Sequence, residues 1–171
     1  MKALIEEFDR NGERWLLLVF YAFVVSVIFV EVVRRFVFQY SSIWGEETAR
    51  YAFIYLVWIG AAAAIKDRAH IRIDIIFKFL PSRGVAILYL LGDIITLVFA
   101  CAALYWSLES VGTSLRFGAA THGLRINQAW FSFAVPFGFS LILIRLVQSI
   151  RRDLDDIRSG RPPFTGRKLF G

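Results

Sequence analysis

The sequence has 171 residues, of which 57% are hydrophobic and 16% aromatic, with a mean hydropathy of +0.57 and a formal net charge of +6 at pH 7. A soluble domain is about half apolar or slightly less, whereas here the excess falls in long runs, which indicates an integral membrane protein. The basic residues lie between and after these runs and form no nucleic-acid-binding face, and the one cysteine excludes an intrachain disulfide and argues against thiolate metal sites.

Four apolar runs are long enough to cross a membrane, which takes about 20 residues as a helix. They are continuously apolar and do not alternate, which favours helices over strands. The fold class predicted is an all-α membrane protein with four transmembrane helices and short interfacial amphipathic helices. The first run is long and ends in charged residues, so we expect a retained span and not a cleaved signal peptide. The predicted spans are residues 15–36, 47–65, 85–106 and 129–150.

The flanking charges predict the orientation of these spans. Fifteen of the 20 lysines and arginines fall on the side of the two termini and five on the other, so both termini are expected to be cytoplasmic. On the inner side, residues 74–80 place apolar side chains on one helical face and end at Pro81, which predicts a short helix lying on the membrane surface. We expect residues 1–150 to form the four-helix domain and residues 151–171 a basic, poorly ordered cytoplasmic tail that suits anionic lipids.

The second span opens with the charged sequence WGEETARY, from Trp44 to Tyr51. Its glutamates favour the positive end of the helix dipole, and Glu46 and Arg50 are spaced to pair. Two interpretations stay open, an intrachain charge cluster and a docking surface for another protein. The predicted outer cluster comprises Arg34, Arg35, Trp44, Glu46, Glu47, Arg50 and Tyr51.

Further along the second span, small residues predict close helix packing. In lipid the hydrophobic effect does not drive helices together, so their association depends on close packing. Small side chains allow the helix backbones to approach closely. The contact could lie within this four-helix unit or with a partner helix. The residues concerned are Trp58, Gly60, Ala61 and Ala64.

Two carboxylates lie inside the apolar runs, Glu31 and Asp93. Such residues suggest ion or proton pathways unless each has a basic partner. Glu31 has arginines three and four residues later, and Arg145 lies at a depth similar to that of Asp93, so we predict an Asp93–Arg145 interaction. Structural pairing and transport chemistry both remain possible roles.

No catalytic constellation is evident in the sequence. The histidines His70 and His122 fall on opposite sides of the membrane and cannot jointly bind a haem or metal. We therefore expect no enzymatic activity, no cofactor and no metal site.

The motifs that stand out are Trp44-Gly-Glu-Glu-Thr-Ala-Arg-Tyr51, Trp58-Ile-Gly-Ala-Ala62, His70-Ile-Arg-Ile-Asp74, Leu80-Pro81 and Pro136-Phe-Gly138. Their order and spacing resemble the small membrane subunit, the Q-type or DctQ-like subunit, of the tripartite ATP-independent periplasmic (TRAP) transporters of bacteria and archaea. The resemblance covers about residues 10–150, and Gly45 is the position that departs from the expected pattern.

The resemblance implies a multi-pass subunit of the bacterial or archaeal inner membrane. It implies association with a large polytopic subunit, which carries substrate and sodium and moves as an elevator, and with a periplasmic binding protein that delivers an organic acid such as a dicarboxylate, keto acid or sialic acid. This chain would then brace the large subunit and offer part of the docking surface. The competing hypothesis is a self-sufficient homodimeric exporter, coupled to protons through Glu31 or Asp93; a small membrane enzyme is disfavoured because no nucleophile set is present.

Overall fold

The computed structural model describes residues 2–40, 42–68, 81–162 and 164. Within these ranges the chain forms four long helices, each long and apolar enough to cross a membrane. This confirms the all-α fold with four candidate spans. The helices are α1 (Lys2–Phe36), α2 (Ile43–Lys66), α3 (Ser82–Phe117) and α4 (Ala129–Ser159).

The helices are longer than the apolar runs that predicted them. α3 continues past residue 106 to Phe117, and α4 continues past residue 150 to Ser159. α4 therefore includes residues 151–159 of the segment for which a poorly ordered tail was expected. Both helices end at a glycine in the left-handed conformation, Gly118 with φ 58° and Gly160 with φ 64°, which a side chain would strain.

The four helices lie side by side in the order α1, α2, α4, α3. The extensive interfaces join α1 to α2, α2 to α4, and α4 to α3, and no comparable interface joins α1 to α3 among the described residues. The packing is a row with α2 and α4 in the middle, and each end helix has one main neighbour.

The best-buried part of the row lies where α2, α3 and α4 meet. Ala62, Ala100 and Leu146 are almost completely buried there, together with Ile65 and Ile142. Small residues on two helices let the third approach closely. In contrast, α1 exposes most of its large apolar side chains, as expected of a surface solvated by lipid.

Candidate functional site

At the N-terminal end of α2, the carboxylate of Glu47 holds the loop that joins α3 to α4. Its Oε2 atom accepts hydrogen bonds from the backbone N–H groups of Gly123, at 2.7 Å, and Leu124, at 2.8 Å. The hydroxyl of Tyr51 donates to its Oε1 atom at 3.0 Å. Charge-assisted bonds of this kind are the stronger ones, so Glu47 fixes this loop on the start of α2.

The loop itself has a defined shape. The N–H of Thr121 donates to the carbonyl of Ile126 at 2.9 Å, and the N–H of Ile126 donates to the Thr121 hydroxyl at 3.3 Å. A Cβ atom at Gly123 would lie 2.6 Å from the Glu47 carboxylate. The absence of a side chain at this position therefore allows the carboxylate to reach the backbone amides.

A second network joins the end of α1 to the start of α2 and centres on Glu31. Arg34, one of the two arginines considered as partners of Glu31, forms an ion pair with it at 3.1 Å. Ser42 donates both its backbone N–H, at 3.4 Å, and its hydroxyl to the same carboxylate. A Cβ atom at Gly45 would collide with this carboxylate, so the absence of a side chain at this position admits Glu31.

The predicted outer cluster is thus divided into separate groups. The Arg34 guanidinium lies over the rings of Tyr40, at 4.8 Å, and Trp44, at 5.3 Å, and so belongs with Glu31. Three other members of the predicted cluster remain exposed and, within the described part of the chain, form no ion pair; they are Arg35, Glu46 and Arg50.

A third charged group lies at the opposite ends of α2 and α4 and was missed by the sequence analysis. Arg68 forms ion pairs with Asp153, which is fully buried, and with Asp93, at 3.7 Å. It also donates to the Ser149 hydroxyl at 3.1 Å and lies over the Tyr89 ring at 4.5 Å. The group ties together α2, α3 and α4.

The partner found for Asp93 differs from the one predicted. Arg145 donates a hydrogen bond to Gln148 at 2.6 Å, while the ion pair described for Asp93 is with Arg68. The Asp93–Arg145 interaction stays a prediction. Asp153 could not be recognised as a partner from the sequence, because it falls in the segment assigned to the tail.

The small-residue segment of α2 packs partly within the chain. The Trp58 ring lies against Gly138, where a Cβ atom would collide with the indole, and against Phe139 at a centroid distance of 4.8 Å. Gly60 lies near Leu17 of α1. Ala61 packs on the core, and Ala64 is half-buried.

Two members of the predicted inner motif, His70 and Asp74, and the predicted surface helix at residues 74–80 lie outside the described residues. His122 is exposed and lines a cleft of about 270 Å³ beside Arg50 and Gln128. Among the residues that the structure describes, no three His, Cys, Asp or Glu side chains are grouped to hold a metal ion.

Comparison with known proteins adds a family assignment to this geometry. The family model described as "Tripartite ATP-independent periplasmic transporters, DctQ component" matches residues 24–156. The chain is 28% identical, over 83% of its length, to the isethionate TRAP transporter permease protein DctMQ of Oleidesulfovibrio alaskensis, of which it spans only 23%. It is 25% identical to the sialic acid TRAP transporter small permease protein SiaQ of Vibrio cholerae, over 86% of this chain and 84% of that protein. It is also 25% identical to the C4-dicarboxylate TRAP transporter small permease protein DctQ of Vibrio cholerae, over 46% of this chain and 34% of that protein.

Proposed function

Since the chain belongs to the DctQ component family of the TRAP transporters and is a multi-pass protein of the bacterial inner membrane, we propose that it is the small scaffold subunit of a sodium-coupled transporter that imports an organic acid. In this role it braces a large elevator-type permease subunit and helps to dock a periplasmic binding protein. Substrate and sodium are bound by the partner and not by this chain.

The observation that carries the proposal is the packing of the helices in a row. Such a row leaves two broad faces of its helices open, and large apolar side chains such as Phe53 and Val57 of α2 are exposed there. Substrate sites of secondary transporters are formed by broken helices that enclose a polar space near the membrane centre. The helices described here are continuous and offer surface for contact with another protein. This arrangement supports a scaffold subunit and not a subunit that carries the substrate.

The state of the intramembrane carboxylates supports the same role. Glu31 is held by Arg34 and Ser42, and Asp93 pairs with Arg68. A proton-coupled exporter needs an unpaired carboxylate in its transport pathway, whereas both of these carboxylates contact an arginine of the same chain. These ion pairs therefore count against the homodimeric exporter.

The relatives support an organic acid as the transported substrate. Their names refer to isethionate, sialic acid and a C4-dicarboxylate, which are anions of different shape. Similar small subunits in transporters of such different acids are consistent with a chain that does not itself select the acid.

The outer loop supports a docking role for this end of the molecule. Because Glu47 fixes the loop at Gly123 and Leu124, the exposed side chains of His122 and Arg125 project from a backbone of set geometry. A rigid surface loses less conformational entropy on binding a partner than a mobile one.

The test is co-purification followed by reconstitution. The chain would be tagged, produced with its large permease subunit and binding protein, and purified from membranes. We expect the large subunit to co-purify in equimolar amount, and uptake of an organic acid into proteoliposomes to require both membrane subunits, the binding protein and an inward sodium gradient.

Omitting each component in turn supplies the controls. Uptake by this chain alone, without the large subunit, would refute the scaffold role and favour the exporter. Uptake that is unchanged when the sodium gradient is replaced by a potassium gradient would refute sodium coupling and leave the scaffold role standing.

A further inference from the structure

The central helix α2 carries an exposed stripe that its own chain does not cover. Glu46, Arg50, Phe53 and Val57 follow one another at intervals of four, three and four residues, so they share one side of the helix. All four are exposed, Phe53 by 52% and Val57 by 50%. We call these four residues the α2 stripe.

The opposite side of α2 lines an apolar groove and, among the described residues, carries no charged side chain in it. Thr48, Ala52 and Tyr55 point away from the stripe, because each residue advances the helix by about 100°. They line an apolar groove of about 450 Å³ together with aromatic side chains of α1 and α4 such as Phe20 and Phe137. The two faces of the row therefore differ at its centre, one being aromatic and concave and the other carrying charges.

The charges of the stripe lack partners among the described residues. Glu46 and Arg50 make no hydrogen bond or ion pair with any other described side chain, whereas the neighbouring Glu47 has three donors. Arg50 lies two helical turns into a segment that enters the membrane. Charged groups at a lipid boundary are costly unless a partner or water satisfies them.

Below the charges, the same side of α2 continues into the small residues Gly60 and Ala64, three and seven residues after Val57. Both are half-buried within the chain, and Gly60 lies near Leu17 of α1, so the exposed stripe ends at Val57. Small side chains favour protein over lipid as a neighbour. The exposed positions of α1 and α3 are instead large and apolar, for example Phe29 and Tyr105, and acyl chains can solvate them.

We propose that the α2 stripe is the contact face for a transmembrane helix of the large permease subunit. This inference rests on the proposed function. The partner helix would carry a basic and an acidic side chain at its outer end, complementary to Glu46 and Arg50, and apolar residues against Phe53 and Val57. In the isethionate relative, the matching segment is less than a quarter of one longer polypeptide, so such a contact could form there within a single chain.

The test is site-specific photocrosslinking in the assembled complex. A benzophenone amino acid would replace Phe53 or Val57 in the stripe. In matched controls it would replace Phe29 on α1 or Tyr105 on α3, which are exposed by 66% and 75%. Each variant would be produced with the large subunit, irradiated in membranes and analysed for a product of the combined mass.

We expect crosslinks to the large subunit from Phe53→Bpa and Val57→Bpa at a yield at least about tenfold above either control. Crosslinks to the large subunit from the controls only, to a second copy of this chain, or to lipid only would overturn the assignment of the stripe. Co-purification of the unmodified chain with the large subunit is scored separately, so failure of the scaffold role is distinguished from failure of the stripe.

A charge substitution gives a second readout. Arg50→Glu should lower the amount of large subunit recovered by several-fold, while Arg116→Glu, at an exposed arginine near the end of α3, should not. Equal recovery with both variants would overturn the role of Arg50 in the contact.

Discussion

Two adjacent glutamates at the start of α2 have different environments. Glu47 faces the α3–α4 loop and accepts three hydrogen bonds, and Glu46 is exposed without a described partner. One residue step turns the side chain by about 100° around the helix, which is enough to move a carboxylate from an intrachain contact to the surface. The intrachain contact is therefore observed for Glu47, while contact of Glu46 with another protein stays a prediction.

Replacing Glu47 by Gln should loosen the outer loop. A neutral amide accepts hydrogen bonds less strongly than a carboxylate and offers one acceptor oxygen instead of two. Hydrogen exchange at the amides of Gly123 and Leu124 should become faster. Glu46→Gln is the control and should leave exchange at these amides unchanged; equal protection in both variants would contradict the role given to Glu47.

Replacing Gly45 by Ala should destabilise the α1–α2 contact, because the added Cβ would collide with the Glu31 carboxylate. Overpacking of this kind typically costs about 1–3 kcal/mol, so the thermal unfolding midpoint in detergent should fall. Gly112→Ala in α3 is the matched control: no atom lies within 4 Å of its added Cβ, and the change should be neutral or stabilise the helix by up to about 1 kcal/mol. An unchanged midpoint for Gly45→Ala would show that Glu31 can move aside.

The sequence could predict local contacts and not distant ones. The Glu31–Arg34 pair follows from a spacing of three residues on a helix. The hydroxyl of Ser42 reaches the same carboxylate only because the chain turns back after α1, and helical spacing does not encode that turn. Asp153 is likewise separated from Arg68 by two helices, so its role depends on packing that the sequence pattern does not specify.

At the scale of elements, the buried group around Arg68 holds three helices in register at the C-terminal end of α2. Ion pairs inside a protein add little over an apolar pair of similar shape, but removing one partner leaves an uncompensated charge. The expected consequence is a strong asymmetry between single and double substitutions.

Asp153→Leu or Arg68→Met should therefore each lower the unfolding free energy by about 3–5 kcal/mol. The double variant Arg68→Met, Asp153→Leu should lose less than the sum of the two. Asp67→Asn is the control, because Asp67 pairs with Arg14 at 3.9 Å in an exposed position, and exposed pairs contribute about 1 kcal/mol or less. Additive losses in a double-mutant cycle would argue against a coupled pair.

The existence and order of the four helices could be predicted from hydropathy, but their ends could not. Apolar runs identify the residues that contact lipid, whereas the length of a helix also depends on its capping and on its contacts outside the membrane. α4 shows the difference, because its last turns carry Asp153 and Arg152 and are stabilised by packing against Arg68. The end of the fourth span was predicted at residue 150 from the end of the apolar run, and the helix continues beyond it to Ser159.

At the scale of the whole molecule, the bias of positive charge predicts the orientation in the membrane. If both termini are cytoplasmic, as predicted, the loop around His122 lies outside and the end of α4 around Arg158 inside. The chain has one cysteine, Cys101, so Cys101→Ser provides a background for labelling.

In that background, His122→Cys should react with a membrane-impermeant maleimide in intact cells, and Arg158→Cys only after permeabilisation. Both positions are exposed in the described structure, so accessibility within the protein does not confound the comparison. The reverse labelling pattern would invert the predicted orientation and place the α2 stripe's charged end in the cytoplasm.

The row of helices has a consequence for how the protein is made. α1 pairs with α2 and α3 with α4, so two of the three main interfaces join helices that follow each other along the chain. The ribosome can therefore deliver one helical hairpin to the insertion machinery, complete its contacts, and then deliver the next. The two hairpins then meet through α2 and α4, where the Trp58 ring packs over Gly138. Assembly of this subunit then joins two preformed hairpins. A substitution that disrupts the interface between α2 and α4 would leave two inserted hairpins that do not pack together.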